Sequence, residues 1–145
     1  MRIIAFILLA LAAGPASSAE PTRPPYILIV HPGSRPAALD RKFLAEVFLR
    51  RTTRWPDDTP ILPVDLAPDA RARARFSQDV LARSVASVRS YWQQRIFSGQ
   101  GLPPPELGDD DAVVSYVLSH PGAIGYVSAG TPLNGAVPVE VNWGG

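Results

Sequence analysis

The sequence predicts a three-layer α/β sandwich, in which helices cover both faces of a mainly parallel or mixed sheet. Short apolar, β-rich runs alternate along the chain with longer segments in which apolar residues recur every three or four positions. Strands that are separated by helices need crossover connections, and these place helices over the faces of the sheet. Proline, glycine or a capping residue bounds most of the predicted elements.

The N-terminal segment has the pattern of a secretory signal peptide. A short positive start precedes an apolar run, Ile3 to Ala13, and small residues follow up to Ala19. The run is shorter than the roughly 20 residues that cross a bilayer as a helix. We therefore predict cleavage after Ala19 and a periplasmic location, with residues 20–25 as an exposed leader and residues 26–145 as a single domain.

Cysteine content and charge narrow the class of protein further. The chain has no cysteine, which excludes disulfides and the lipid-bearing Cys of a bacterial lipoprotein. The predicted cleavage removes one Arg, so the 14 basic residues become 13 and balance the 13 acidic ones. A near-neutral domain gives no indication of nucleic-acid binding. We expect a monomer without a cofactor.

The sequence of the first half of the domain predicts a strand, a helix and a second strand. Tyr26–Val30 is a short apolar run that ends at a His-Pro-Gly turn. Asp40 is a predicted N-cap for a helix over residues 40–51, which ends in two arginines. A turn at residues 55–58 then leads to a strand over residues 61–66.

The second half predicts three helices and two strands. Asp69 is the predicted N-cap of a helix with Phe76 on its buried face, and a third helix begins near Ser84. The apolar stripe of the third helix is Val85, Val88, Trp92 and Ile96. A proline-rich loop, a helix after Asp109–Asp111, and strands over residues 123–127 and 137–141 complete the domain, with Gly125 placed where a neighbour approaches closely.

Residues with catalytic or metal-binding chemistry do not form a recognisable motif. His31 and His120 each stand beside a proline at the end of an element, and neither belongs to a metal-binding or nucleophile motif. Asp109 to Asp111 are adjacent acids at a predicted helix start, where the positive end of the helix dipole favours acidic residues. A helix-capping role is therefore favoured over a cation site. We therefore expect no catalytic residue and no metal site. Trp55 and Trp92 are expected in the core, and Trp143 at the surface.

The start of the second helix is the candidate anion site. Free backbone N–H groups and the positive end of the helix dipole coincide there with arginines, which is the physical basis of many oxyanion sites. The candidate residues are Ala70, Arg71, Ala72 and Arg73. The alternative is a solvated charged face, because an Asp69 cap would occupy the same N–H donors and Asp79 can neutralise Arg75.

Three segments in order resemble the phosphate-binding proteins of ABC transporters, in the type II periplasmic binding-protein superfamily, and especially its small single-lobe relatives. They are residues 43–49 followed by Trp-Pro-Asp, residues 91–92 leading to Phe-Ser-Gly-Gln-Gly, and Pro-Gly-Ala-Ile-Gly-Tyr-Val at residues 121–127. The resemblance implies that this domain is one lobe of such a fold. In the two-lobed relatives it also implies an Arg and a Ser-Gly-Thr turn that grip the oxyanion, whereas the matching positions here are Leu66 and residues 70–72.

Two functions follow from this resemblance, and both stay open at the level of sequence. The first is weak binding of a small oxyanion such as phosphate, or service as an accessory to a transport or sensing system. The second is a protein–protein interaction module that kept the fold without the ligand. A membrane transporter, a porin or a sensor protein is the expected partner in either case. We expect no enzyme activity.

Overall fold

The computed structural model describes residues 24–144, together with Gly14. The rest of the predicted signal peptide and the predicted leader up to Arg23 lie outside the described residues. The elements in chain order are β1 (Tyr26–Val30), β2 (Leu39–Asp40), α1 (Arg41–Phe48), β3 (Leu62–Pro63), β4 (Asp65–Leu66), α2 (Arg71–Phe76), a π-helical turn (Ser77–Leu81), α3 (Val85–Phe97), β5 (Glu106–Leu107), α4 (Asp110–Ser119), β6 (Ala123–Ser128), β7 (Val137–Val139) and β8 (Val141–Asn142).

The main sheet is mixed, in agreement with the sequence. Its four strands have the order β3-β6-β1-β7. β1 runs antiparallel to both of its neighbours, and β3 runs parallel to β6. Two short parallel pairs, β2 with β8 and β4 with β5, extend the structure at the periphery.

Helices cover both faces of this sheet, which confirms the three layers. On one face Phe76 of α2 stacks on Tyr126 of β6 at a ring-centroid distance of 3.9 Å, and Phe48 of α1 lies 4.7 Å from Phe76. On the other face Gly125 lies so close to α4 that an added Cβ would stand 2.9 Å from Val113 Cγ1. Successive strand residues point to opposite faces, so the aromatic cluster and α4 sandwich the sheet. The buried hydrophobic side chains run in sequence from Tyr26 to Val139.

The first helix starts as predicted and ends earlier than predicted. Asp40 accepts a hydrogen bond from the backbone N–H of Phe43 and caps α1. The helix stops at Phe48 because Arg50 adopts a left-handed backbone conformation with φ 59°. The N–H of Arg51 donates back to the carbonyl of Glu46, which closes the helix end. Arg50 and Arg51 therefore lie beyond the helix and not in its last turn.

The strands predicted over residues 61–66 and 137–141 are each divided into two shorter strands. Residues 61–66 form β3 and β4, and these pair with different strands: the N–H groups of Leu62 and Val64 donate to the β6 side, whereas that of Asp65 donates to the carbonyl of Pro105 on the β5 side. Residues 137–141 likewise fall into β7 and the start of β8. β5, just after the proline-rich loop, is a strand that the sequence did not predict.

The second helix begins later than predicted, and the third helix buries fewer of its apolar residues than predicted. Ala67 to Ala70 form a turn, in which the N–H of Ala70 donates to the carbonyl of Ala67. Ala70 is therefore the N-cap of α2, with no side-chain cap, and the prediction that Asp69 fills this role is wrong. In α3 only Val88 and Trp92 are buried, while Ile96 is 49% exposed, so its assignment to the buried stripe is also wrong.

Candidate functional site

The predicted anion residues lie at the start of α2, but their side chains separate. Arg71 is exposed, whereas Ala72 and Arg73 are buried. Ala70 makes no side-chain cap, and no group among the described residues accepts a hydrogen bond from the backbone N–H of Arg71 or of Ala72. The start of α2 therefore presents free N–H donors and one exposed guanidinium, while the second guanidinium turns inward.

Arg73 is held by groups of its own chain. Its side chain is 3% exposed, and its Nε lies 3.4 Å from an oxygen of Asp65. Its Nη1 donates to the carbonyl of Leu66 at 2.6 Å and lies 3.9 Å from Glu106. Since two carboxylates and a carbonyl surround this guanidinium, its charge is compensated within the fold and links α2 to β4 and β5.

Asp65 is the second member of this buried cluster, and Tyr126 is its other partner. The hydroxyl of Tyr126 donates a hydrogen bond to the carboxyl of Asp65. Burial raises the pKa of Asp65 to about 6, and this effect outweighs the lowering by Arg73 and by the Tyr126 hydrogen bond. Burial also raises the pKa of Tyr126, and the nearby Asp65 charge adds to that rise. The cluster is a titratable feature of the domain interior.

A small pocket lies over this cluster. Its volume is about 160 Å³, and its lining includes Asp65, Arg73, Arg89, Trp92 and Glu106. Arg89 is exposed, and the acids at the pocket already face Arg73. An anion entering here would meet two carboxylates, so the charges at this end of the sheet oppose an oxyanion in the pocket itself.

A larger cleft lies at the opposite end of the sheet, next to the start of β6. It encloses about 520 Å³, is open to solvent, and is lined mainly by apolar atoms around Trp55, Pro60 and Gly122. The indole N–H of Trp55 donates to the carbonyl of Gly122 at 3.1 Å. His31, also on the lining, accepts a hydrogen bond at Nδ1 from the N–H of Gly33. Both polar groups therefore have partners within the chain: the Trp55 bond ties the 55–58 turn to the start of β6, and the His31 bond is local.

The remaining titratable residues also have local roles. His120 stacks on Tyr116 at 4.0 Å, and its Nδ1 lies 2.8 Å from the carbonyl of Tyr116. Asp109 caps α4, and Asp110 accepts from the N–H of Ser128. Within residues 24–144 no three His, Asp or Glu side chains are grouped as metal ligands would be.

Sequence reasoning missed the surface at the end of α3. Phe97 is 97% exposed and Leu102 is 70% exposed, and three of the four exposed large hydrophobics of the described residues lie within residues 96–102. Elsewhere on α3, the guanidiniums of Arg51, Arg83 and Arg95 lie 5.3 to 5.9 Å from the ring centre of Tyr91. The absence of acids between Asp79 and Glu106 was the signal in the sequence.

Comparison with known proteins identifies the family of this chain. Residues 24–141 match the family described as PBP superfamily domain. No curated protein matches the chain significantly. No helix among residues 24–144 has the length and apolar character of a membrane span.

Solved structures with the same fold are about twice as long as this chain. An ABC-type phosphate transport receptor from Vibrio cholerae is 14% identical with a TM-score of 0.63, and the match covers 80% of this chain and 45% of that one. A putative phosphate ABC transporter substrate-binding protein from Clostridium perfringens, solved with bound phosphate, is 18% identical with a TM-score of 0.63, covering 80% and 44%. PstS from Borrelia burgdorferi is 15% identical with a TM-score of 0.61, covering 81% and 47%.

The chain thus spans less than half the length of these binding proteins, while most of its own length takes part in the match. This chain belongs to the PBP superfamily domain family, and it has the fold of a single lobe of a type II periplasmic binding protein.

Proposed function

We propose that this domain is an exported accessory of a transport or sensing system that acts by docking on a partner protein, and that it captures no solute in an enclosed cleft. The observation that carries the proposal is the state of Arg73. Its guanidinium is 3% exposed and compensated by Asp65 and Glu106. Arg73, which the pattern of basic residues suggested as an anion ligand, therefore stabilises the fold instead.

The position matched to the ligand-gripping Arg of two-lobed relatives supports the same proposal. Leu66 occupies it, and Leu66 is buried in the core. A solute trap encloses its ligand between surfaces that remove it from water. The two clefts described here are open, and the smaller one has carboxylates on its lining.

A weak oxyanion site at the start of α2 is the second candidate function. It would use the backbone N–H groups at Ala70, Arg71 and Ala72, and the exposed guanidinium of Arg71. The wrong Asp69 prediction favours this candidate, because no side-chain cap occupies these donors. Arg73, which we predicted as a fourth member, contributes here only through the fold.

Thermal unfolding of the segment Glu20–Gly145, which contains the whole hydrophobic core, separates the two candidates. A specific ligand at about 100 times its dissociation constant stabilises the folded state by about 2.7 kcal/mol, which shifts the midpoint by several degrees. We expect millimolar phosphate or sulfate to give no more shift than chloride at equal ionic strength. A larger shift that Arg71→Gln abolishes would replace the docking proposal by the oxyanion site.

The expected surroundings of the protein follow from its N-terminal pattern. The charged start, the short apolar run and the small residues before Glu20 support export to the periplasm. A membrane transporter, a porin or a sensor protein is the partner that such an accessory would meet there. Detection of Glu20 as the first residue of the secreted protein by mass spectrometry tests the cleavage site.

A further inference from the structure

We propose that three arginines gathered around Tyr91 form a docking surface for an acidic segment of a partner protein. This arginine cluster consists of Arg51, Arg83 and Arg95, whose guanidinium carbons lie 5.9, 5.3 and 5.3 Å from the centre of the Tyr91 ring. The inference rests on the proposed function, because it names the surface and the kind of partner through which such an accessory would dock.

The cluster is assembled from three separate parts of the chain. Arg51 follows the end of α1 and Arg83 precedes the start of α3, while Arg95 lies within α3 itself. Tyr91 joins α3 to the end of α1, because its hydroxyl donates to the carbonyl of Leu49 at 3.1 Å. A guanidinium is attracted to the electron-rich face of an aromatic ring, so the tyrosine holds these cations near one point. The fold therefore creates this group, and no run of adjacent residues does.

Most of the charge of the arginine cluster is not compensated within the domain. Glu46 lies 3.5 Å from Arg51, and among the described residues it is the one carboxylate within 4.0 Å of any of the three guanidiniums. Three cations and one acid leave an excess of positive charge at this place, although the domain as a whole is near neutral. An acidic segment of a partner complements such a surface, and the attraction also speeds the encounter of the two proteins.

The hydrogen-bonding capacity of the cluster is also largely unused. Each guanidinium carries five N–H donors. Arg95 donates from Nη2 to the carbonyl of Gln100 at 3.3 Å, while its Nε has no acceptor in the described part of the chain. The side chain of Arg51 is 46% exposed, so it has donors open to a partner. A carboxylate can accept two parallel N–H bonds from one guanidinium, and these charge-assisted bonds are stronger than neutral ones.

The arrangement of the cluster favours several carboxylates on one chain over a single small ion. The ring of Tyr91 occupies the point around which the guanidiniums lie, so a small ion cannot sit at equal distance from all three there. Alternate side chains of an extended peptide point to the same side about 7 Å apart. Since each guanidinium carbon lies within 5.9 Å of the ring centre, no two are further apart than twice that distance. Successive carboxylates of one segment can therefore reach different arginines.

Fluorescence anisotropy with a labelled peptide of six glutamates tests the proposal on the segment Glu20–Gly145. We expect binding at low salt that weakens about tenfold at roughly 0.3 M salt, where charges are screened over a shorter distance. Arg51→Gln and Arg83→Gln should each weaken binding about fivefold, because each removes one charge-assisted contact. Tyr91→Leu should weaken it by about the same factor, whereas Tyr91→Phe keeps the ring and should bind as the parent does.

Arg75→Gln is the matched control for Arg51→Gln. The side chain of Arg75 is 51% exposed and lies 3.0 Å from the carboxylate of Asp79, so it resembles Arg51 in exposure and in having one acidic neighbour. The two variants change the net charge equally, and Arg75→Gln should bind the peptide as the parent does. Circular dichroism shows whether each variant is folded. Equal weakening by Arg75→Gln and Arg51→Gln, or parent-like binding by folded Arg51→Gln and Arg83→Gln, would overturn the proposal.

Competition and the thermal-shift experiment separate this inference from the proposed function. If sulfate displaces the peptide more strongly than chloride at equal ionic strength, or an oligonucleotide of six thymidines binds as tightly as the peptide, the surface does not select acidic protein segments and the inference fails. No binding of the peptide, together with no thermal shift by phosphate, would overturn this inference and leave the docking proposal in place. A phosphate shift that Arg71→Gln abolishes would overturn the proposed function whether or not the peptide binds.

Discussion

At the start of α2 the guanidinium of Arg73 is 3% exposed and lies 3.4 Å from Asp65, whereas along α3 the guanidiniums of Arg83 and Arg95 lie 5.3 Å from the ring centre of Tyr91 and Arg89 is exposed. Both regions are rich in arginine. The first uses its arginine to compensate buried acids, so its charge is spent inside the fold. In the second, Arg83 and Arg95 lie against the ring of Tyr91 and are partly exposed, so their charge stays at the surface of the domain.

The contrast shows that residue type at a position does not decide function. The same guanidinium group stabilises a strand-to-helix connection in one place and presents a charged surface in the other. What differs is the sequence context: Asp65 and Glu106 flank the first region, and the acid-free segment between Asp79 and Glu106 forms the second. Substitutions in the two regions should therefore differ in size, with a large loss of stability at the buried cluster and a small one at exposed positions of α3.

Replacement of Arg73 is expected to have the largest effect on stability. Arg73→Ala leaves the carboxyl of Asp65 buried without its cation, which typically costs about 3 to 5 kcal/mol of unfolding free energy. Arg71→Ala, two residues earlier on the same helix but exposed, should change the unfolding free energy by less than about 0.5 kcal/mol. Urea denaturation of both variants checks the pair. Similar values for both would remove the distinction between the two regions.

The pH dependence of stability should come next in size. The folded pKa of Asp65, about 6, lies above its unfolded value near 3.9, so the folded state binds its proton more tightly. This contribution is complete below about pH 4 and is lost as the pH rises through about 6. Relative to Asp65→Asn, the parent should lose about 2 to 3 kcal/mol of unfolding free energy between pH 4 and pH 7.

The comparison with Asp65→Asn is needed because other acids titrate in the same range. Urea denaturation of both proteins at a series of pH values gives the difference directly. A parent that gains stability over this range relative to Asp65→Asn would mean that Arg73 outweighs burial at this carboxyl. The penalty of Arg73→Ala should also shrink at low pH, where Asp65 is neutral.

The smallest effect on stability is expected at the tip of α3. Phe97 has almost no protein contacts to lose, so Phe97→Ser should alter the unfolding free energy by less than about 0.5 kcal/mol. Phe76→Ser replaces a phenylalanine of the aromatic cluster in the same way. It should lower the unfolding free energy by about 3 kcal/mol or more, as Phe→Ala substitutions in protein cores do. Thermal unfolding measures both. A strongly destabilised Phe97→Ser would show that this side chain packs within the fold.

Sequence patterns predicted much of the fold because local chemistry determines it. Asp40 and Asp109 cap their helices as expected, and Gly125 lies where α4 approaches the sheet. The errors arose where distant contacts decide the outcome. Ile96 fits the apolar stripe of α3, but the last turn of this helix is not covered by the rest of the domain. The spacing of apolar residues cannot show where that cover ends.

The candidate site was harder to predict for the same reason. Arg73 lies near Glu106 of β5, and its partner Asp65 is bound by Tyr126 of β6; both of these residues are far from α2 in sequence. A helical projection places Arg73 near the edge of the Phe76 face, but it cannot reveal these distant partners. The exposed tip escaped notice because Phe97 continues an apolar pattern that is usually buried.

Arginine-directed labelling with phenylglyoxal, read out by mass spectrometry, tests the division between the two regions most directly. We predict that Arg73 stays unlabelled under conditions that label Arg71 and Arg89, since its guanidinium is enclosed and theirs are exposed. Labelling of Arg73 as readily as Arg71 in the folded protein would contradict the account.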